Sequence, residues 1–193
     1  MDQLSGTILS VCLGLGLSAA TGFRVFVPLL LINIANRGGW LELSDQFAWM
    51  GGTPALAAFG IATALEIGAY YVPWLDNLID TIASPAAVVA GTLATASVVT
   101  GMDPAMKWML AVIAGGGVAG VIQSSFVGAR QLSSLTTAGF ANPIVSTVEM
   151  IGSVFMSILS FLAPVLAAVG VLGLLLLAAR LLIRRRRIGA QLS

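Results

Sequence analysis

Long apolar stretches separated by short polar segments dominate the chain. A helix that crosses a bilayer needs about 20 mostly apolar residues. The pattern therefore predicts an all-α integral membrane protein with one transmembrane domain, residues 1–187, and a short cytoplasmic tail, 188–193. The predicted spans are six apolar stretches at about 6–34, 54–73, 84–101, 106–128, 144–162 and 164–183.

The last two predicted spans come from one apolar run, residues 144–183. At 1.5 Å per residue, this run is too long to cross about 30 Å of hydrocarbon once. Pro164 is the natural break, because proline interrupts a helix. A single kinked helix with an overhang is the alternative, and it would give five spans.

Two of the connections are amphipathic. The segments "WLELSDQFAW" (40–49) and "PWLDNLIDTIASP" (73–85) each place apolar residues on one helical face and polar residues on the other. We expect both to be short helices lying in the membrane interface, the second bracketed by Pro73 and Pro85.

The composition agrees with a membrane protein and narrows its chemistry. Apolar residues make up 58% of the chain and charged residues only 9%, against roughly 25% charged in soluble domains. Histidine is absent and Cys12 is the only cysteine, so zinc sites built on these residues and histidine acid–base catalysis are excluded. We predict no enzyme activity, catalytic residue, metal or cofactor, and nothing suggests nucleic acid as a partner.

The arginine run at 184–187 follows the last apolar stretch. Positive charge is retained in the cytoplasm, so the C-terminus is predicted to be cytoplasmic. The expected partners are the lipid bilayer and an unknown small solute or ion, and a homodimer is an open alternative.

The chain also contains a weak internal similarity. "TIASPAAVVAG" (81–91) matches "SFLAPVLAAVG" (160–170), and nearby Glu66 aligns with Glu149. Three spans in each half would give a 3+3 inverted repeat, as in secondary transporters. Chance similarity between apolar sequences is the alternative.

Arg24 is the only charged residue between Gln3 and Asn36. A charge inside the bilayer costs about 3 kcal/mol or more, so Arg24 is expected to face the protein interior and to pair with Glu66 or Glu149. Pro28 has no amide hydrogen to bond the carbonyl of Arg24, and Gly22 loosens the same turn. We expect a helix break that lines a polar cavity, with a harmless kink as the alternative.

One buried cation and two buried carboxylates would leave an excess negative charge. One glutamate would then be protonated or neutralised by a bound cation, which suggests proton or cation coupling. Alternatively, Glu149 is hydrated near the interface, since it follows Pro143 by only six residues. Arg130 is assigned to the membrane border.

A second polar stretch, "SSLTTAGFANP" (133–143), has Gly139 and Pro143 as helix breakers. It forms either an exposed loop or a re-entrant loop, in which Thr136, Thr137 and Asn142 would line a pathway.

Three stretches carry a family resemblance: "GLSAATGFRVFVPLLL", "DPAMKWMLAVIAGGGVAG" and "SLTTAGFANPIVSTVE". They resemble, in order along the chain, the bacterial membrane family filed as domain of unknown function 4126. The resemblance implies a multi-pass protein of the bacterial cytoplasmic (inner) membrane and transfers no biochemical function.

The leading hypothesis is a small secondary transporter or channel-like protein with a buried Arg/Glu cavity, coupled to protons or cations. One rival is a structural or assembly protein whose buried charges only fix helix packing. The third hypothesis is a membrane enzyme that acts on lipid.

Overall fold

Every regular element in the described parts of the chain is a helix. The computed structural model describes residues 3–69, 73–137 and 140–191, without the side chains of 73–80 and 181–191. Eight α-helices are joined by a 3-10 helix after α2, Asp45–Gly51, and a π-helical segment after α5, Ala111–Gly116. The α-helices are α1 (Gln3–Phe23), α2 (Phe26–Arg37), α3 (Thr53–Ala69), α4 (Pro73–Val98), α5 (Pro104–Leu110), α6 (Gly117–Thr137), α7 (Asn142–Leu162) and α8 (Pro164–Gln191).

Several helices have the length and composition of membrane spans. Among the described residues, four candidate spans are Gln3–Phe23, Thr81–Val98, Pro104–Thr137 and Asn142–Leu162. The 3-10 helix and α3, bent by 63°, would together make a fifth. Two further apolar stretches are shorter than these spans, namely α2 (Phe26–Arg37) and the first part of α8 (Pro164–Arg180). The all-α membrane architecture is thus supported, while the count of six stays a prediction.

Helix α1 is the centre of the bundle and packs against α4, α6, α7 and α8. It runs antiparallel to α4, where the Thr95 hydroxyl donates to the Gly14 carbonyl at 3.1 Å. It also runs antiparallel to α7, where the Ser153 hydroxyl donates to the Ala20 carbonyl at 3.0 Å. Small polar side chains therefore join the helices through backbone carbonyls, as is common between apolar helices.

Glycines allow the closest helix contacts. A Cβ on Gly91 of α4 would lie 2.6 Å from the Ala119 Cβ and 2.9 Å from the Gly115 carbonyl oxygen. Gly115 lies in the π-helical segment, and its carbonyl also accepts the Ser18 hydroxyl of α1. The π-helical segment thus lies directly against α1 and α4.

The chain breaks between α1 and α2, at Arg24 and Val25. Helix α2 then runs antiparallel to α3, because the Asn33 amide donates to the Gly52 carbonyl at 3.1 Å and Arg37 contacts the Thr53 hydroxyl at 3.1 Å. The 3-10 helix that precedes α3 contacts Trp108 of α5 through Phe47, with 5.8 Å between ring centroids. Helix α2 therefore leads back toward the end of the bundle where α5 begins, so α1 and α2 form a helical hairpin.

A second hairpin joins α7 and α8. Helix α7 ends at Leu162 and α8 begins at Pro164, where the sequence predicts a break. Gly16 of α1 lies against both Ser160 and Ala167, on either side of this break. Helix α8 then passes a groove that it shares with Phe23 and Phe126, so it runs back along α1. The two hairpins point in opposite directions.

The structure corrects the prediction that residues 73–85 form a separate helix. Pro85 lies inside α4, which continues to Val98. Apolar helices tolerate an internal proline where neighbouring groups satisfy the backbone. Pro85 and Pro164 thus occupy different positions, one inside a helix and one at a helix start, so the repeat inferred from them is not shown.

The other predicted interfacial segment, 40–49, overlaps the 3-10 helix Asp45–Gly51. In this region Phe47 and Met50 are buried, and Trp40 and Trp49 are exposed. Helix α8 continues beyond the predicted boundary of 183 to Gln191, through most of the predicted tail. The side chains of the arginine run 184–187 lie outside the described residues.

Gly91 and Gly170, which align in the internal sequence similarity, provide a test of close helix packing. Gly91→Ala should lower the free energy of unfolding by about 1–3 kcal/mol, because its methyl group overlaps α6. Gly170→Ala is the matched control, since a Cβ there meets no atom within 4 Å. It should be neutral or stabilising by up to about 1 kcal/mol. Thermal unfolding in detergent measures both, and equal midpoints would contradict the packing.

Candidate functional site: a buried cluster of paired charges

Four charged side chains from different parts of the fold meet inside the bundle. Arg24 lies between α1 and α2, Glu66 on α3, Arg130 on α6 and Glu149 on α7. Their exposed fractions are 2%, 8%, 2% and 0%, respectively. We call these four residues the charge cluster.

Glu149 lies between the two arginines. Its Oε1 is 3.0 Å from Nη2 of Arg130, and its Oε2 is 3.6 Å from Nη2 of Arg24. Each carboxylate oxygen thus faces one guanidinium group. This confirms the predicted pairing of Arg24 with one of the two glutamates and identifies that glutamate as Glu149.

Ser146 orients Arg24. The Arg24 Nη2 donates to both the backbone carbonyl and the hydroxyl of Ser146, at 2.9 Å each. Ser146 precedes Glu149 by three residues, so both lie on the same face of α7. Helix α7 therefore fixes the guanidinium and its counter-ion together.

Glu66 stabilises the start of α2. Its Oε1 accepts from the Val25 amide at 2.8 Å, and its Oε2 accepts from the Phe26 amide at 3.0 Å. The first amides of a helix have no partner within the helix, and the positive end of the helix dipole favours a carboxylate there. Glu66 thus replaces the water that would bond these amides at an exposed helix start.

The residues predicted to break the first helix have separate roles. Pro28 is the third residue of α2, where the missing amide hydrogen has no acceptor to lose. Gly22 lies within α1, and its added Cβ would be 2.7 Å from the Ile122 Cβ. Gly22 therefore permits close packing on α6, rather than loosening the turn.

The predicted buried set of Arg24, Glu66 and Glu149 omitted a second cation, Arg130, which pairs with Glu149. Helix α6 extends to Thr137, seven residues beyond Arg130 and about 10 Å along the axis. Sequence reasoning placed Arg130 at the membrane border because the polar residues after it suggested a loop. With both glutamates ionised, the cluster has two positive and two negative charges.

Thr136 and Thr137 lie outside the cluster. Both are exposed in the last turn of α6, and their hydroxyls donate to the carbonyls of Leu132 and Ser133 at 2.9 and 2.8 Å. Residues 133–137 thus form the end of α6. They belong to neither the exposed loop nor the re-entrant loop that the sequence predicted.

Asn142, in contrast, is buried, and its amide donates to the Ser134 hydroxyl at 3.1 Å. It joins the end of α6 to the start of α7. Pro143 is the second residue of α7 and therefore lies in the first turn of that helix. The predicted break at Gly139 lies outside the described residues.

Glu149 contacts both arginines directly, whereas Glu66 accepts hydrogen bonds from backbone amides. Two grooves in the described part of the chain are lined almost entirely by apolar side chains, and neither includes a residue of the charge cluster. Glu149 lies seven residues, or about 10 Å, from the start of α7. The four charged side chains are thus almost excluded from solvent. No group of three acidic, cysteine or histidine side chains suited to a metal occurs among the described residues.

A family model described as "Domain of unknown function (DUF4126)" matches residues 11–184. The chain belongs to this family. The match contains all four residues of the charge cluster. No curated protein and no solved structure shows significant similarity to this DUF4126 chain.

The pairing of Glu149 with two arginines predicts the effect of neutralising Glu149 in this DUF4126 protein. Glu149→Gln leaves two buried arginines facing an uncharged side chain and should cost about 3–5 kcal/mol of stability. Glu42→Gln removes an exposed carboxylate and should change stability by less than about 0.5 kcal/mol. Thermal unfolding in one detergent compares them. A Glu149→Gln midpoint equal to that of the control would contradict the pairing.

Proposed function

We propose that this DUF4126 protein is a small secondary transporter or channel-like protein of the bacterial cytoplasmic membrane, with the charge cluster in its solute or ion pathway. One observation carries the proposal: four buried ionisable side chains lie at or near the break between α1 and α2, and two of them, Arg130 and Glu149, are within helices long enough to span a membrane. Ionisable residues at such depth commonly mark transport pathways.

The energetics favour a functional reason for the cluster. Burying a charge costs several kcal/mol, and a buried ion pair recovers that cost only with good geometry and further hydrogen bonds. Apolar side chains of similar volume often hold helices together equally well or better. Helix packing alone therefore gives little reason for two arginines and two glutamates at this depth.

The opposed hairpins support an inverted architecture. The α1–α2 hairpin turns at Arg24 and the α7–α8 hairpin turns at Ala163, and they enter the bundle from opposite ends. Broken helices and inverted repeats are the elements from which many secondary transporters build alternating access. The α1–α2 hairpin divides the predicted first span, 6–34, into two helices. We retain the inverted arrangement, the cytoplasmic C-terminus and the homodimer as parts of the proposal.

The contacts of Glu149 suggest how coupling would work. Protonation of Glu149 removes the negative charge that Arg24 and Arg130 face, which makes the site more positive by one charge and favours rearrangement or entry of an anion. Proton coupling therefore follows from the change of charge at Glu149.

The structural alternative rests on the direct contacts of Glu149 with both arginines, which join α7 to α6 and to the α1–α2 junction. The observation that bears on the lipid-enzyme alternative is a hydrogen bond from the Lys107 amine to the Ser44 hydroxyl, at 3.3 Å. The backbone amide of Ser44 also donates to the Ser97 carbonyl near the C-terminal end of α4. A cation such as the Lys107 amine is stabilising close to such a helix end. That contact is therefore explained without catalysis.

Flux measurements in liposomes test the transport proposal. The wild-type protein should move protons or ions across the membrane in response to a gradient of at least one member of a panel of small ions and metabolites. Glu149→Gln and Glu66→Gln should uncouple solute movement from proton movement, because one titrating group is lost. An entrapped pH dye and tracer uptake report the two fluxes separately.

Glu42→Gln, an exposed substitution, is the matched control and should retain wild-type coupling. Well-folded Glu149→Gln and Glu66→Gln proteins with full coupled flux would reject the coupling. Absence of any wild-type flux across the panel would favour the structural role.

A further inference from the structure

Both arms of the α1–α2 hairpin meet the same end of α4. Near the start of α1, the Ser10 hydroxyl accepts from the Thr100 amide at 3.3 Å. After α2, the Ser44 amide donates to the Ser97 carbonyl at 2.8 Å. Ser97 and Thr100 lie at the C-terminal end of α4, so the chain enters and leaves the hairpin at one end of the bundle. We call this end, marked by Ser10, Ser44 and Thr100, the entry end.

The segment that follows α2 has the character of a membrane interface. Trp40 and Trp49 are exposed in it, and Arg37 at the end of α2 contacts the Thr53 hydroxyl at 3.1 Å. Tryptophan is enriched at the level of the lipid headgroups. The entry end therefore lies at one surface of the membrane.

Helix α6 extends far beyond the turn of the hairpin. It runs parallel to α1, because the Ser18 hydroxyl contacts the Gly115 carbonyl and an added Cβ on Gly22 would lie 2.7 Å from the Ile122 Cβ. From Ile122, α6 continues for 15 residues to Thr137, or about 22 Å. Helix α1 ends one residue after Gly22, so the turn lies deep within the length of α6.

Helix α7 also begins well beyond the turn. The Ser153 hydroxyl donates to the Ala20 carbonyl, and α7 begins at Asn142, 11 residues or about 16 Å from Ser153. Arg24 lies four residues beyond Ala20, or about 6 Å. The turn therefore ends about 10 Å short of the start of α7.

These distances place the turn inside the hydrocarbon. Helix α7 has 21 residues, a length of about 31 Å that matches the roughly 30 Å of the bilayer core. Irregular backbone is tolerated at such depth only where the protein buries it. Arg24 and Val25 are 2% and 3% exposed, and Glu66 accepts from the Val25 and Phe26 amides. The turn meets this requirement.

We propose that the predicted first span, 6–34, does not cross the membrane. Helices α1 and α2 form a re-entrant hairpin instead, which enters and leaves the bilayer at the entry end and turns inside the hydrocarbon at Arg24. This topology goes beyond the proposed transport, because it would hold equally for a structural protein.

The hairpin places the start of α1 and the end of α8 on opposite sides of the membrane. Helix α8 shares a groove with Phe126 of α6 through Leu177, and it then continues for 14 residues to Gln191, or about 20 Å. Its end thus lies opposite the entry end. With the proposed cytoplasmic C-terminus, the charge cluster lies nearer the cytoplasmic surface, so a solute has the shorter route to it from the cytoplasm.

Cysteine labelling from each side of the membrane tests the hairpin. Gln3→Cys, Glu42→Cys and Thr136→Cys, all at exposed positions, are each made in a Cys12→Ser background. A membrane-impermeant maleimide is applied to intact cells and to inverted vesicles. Gln3→Cys and Glu42→Cys should react from the same side and Thr136→Cys from the other. If the Cys12→Ser protein does not fold, Cys12 is kept, and wild type measures its own labelling.

The depth of the turn needs a second measurement, because two complete spans would give the same labelling. A spin label on Val148→Cys, a position that is 54% exposed and next to Glu149, reports this depth. It should be more accessible to oxygen than to a water-soluble nickel complex, and a label on Thr136→Cys should show the reverse.

Labelling of Gln3→Cys and Glu42→Cys from opposite sides would overturn the hairpin, because residues 6–34 would then cross the membrane. Labelling of all three positions from one side would equally contradict the topology. A Val148→Cys label that prefers the nickel complex would place the turn at the surface and reject its position in the hydrocarbon. Absence of flux in transport assays changes none of these results.

Discussion

The pairing of Glu149 with Arg24 and Arg130 is the interaction on which the rest of the structure depends. Three charged groups with almost no exposed surface are tolerable because opposite charges lie in contact and Ser146 accepts two hydrogen bonds from Nη2 of Arg24. This pairing joins the α1–α2 junction, α6 and α7. The apolar packing of α1 against its neighbours then surrounds the paired charges and excludes water from them.

The break in the first apolar run follows from the same cluster. A helix end inside an apolar bundle exposes backbone amides that need acceptors, and Glu66 supplies two oxygens to the first amides of α2. Glu66 also interacts electrostatically with both arginines. The two glutamates thus have different roles, because Glu149 pairs with arginines and Glu66 caps the start of α2.

Sequence reasoning identified the helical class, the buried state of Arg24, and the breaks near Arg24 and Pro164. It left open whether Glu149 is buried or hydrated near the interface. It misplaced Arg130, because a polar run after an arginine looks the same whether it is a loop or an exposed helix end. A usable signal was present in α7, where Asn142, Ser146 and Glu149 recur at helical spacing and mark a buried polar face. The hairpin directions could not be predicted, because they depend on contacts between residues far apart in the sequence.

The pairing of Glu149 with Arg130 is the central claim, and thermal unfolding of a double variant tests it most directly. Glu149→Gln alone deprives Arg130 of this carboxylate, whereas Arg130→Gln combined with Glu149→Gln removes both members of the pair. The account predicts that the double variant is more stable than Glu149→Gln, with a coupling energy of about 0.5–3 kcal/mol between the two sites. A double variant whose stability loss equals the sum of the two single losses would contradict it.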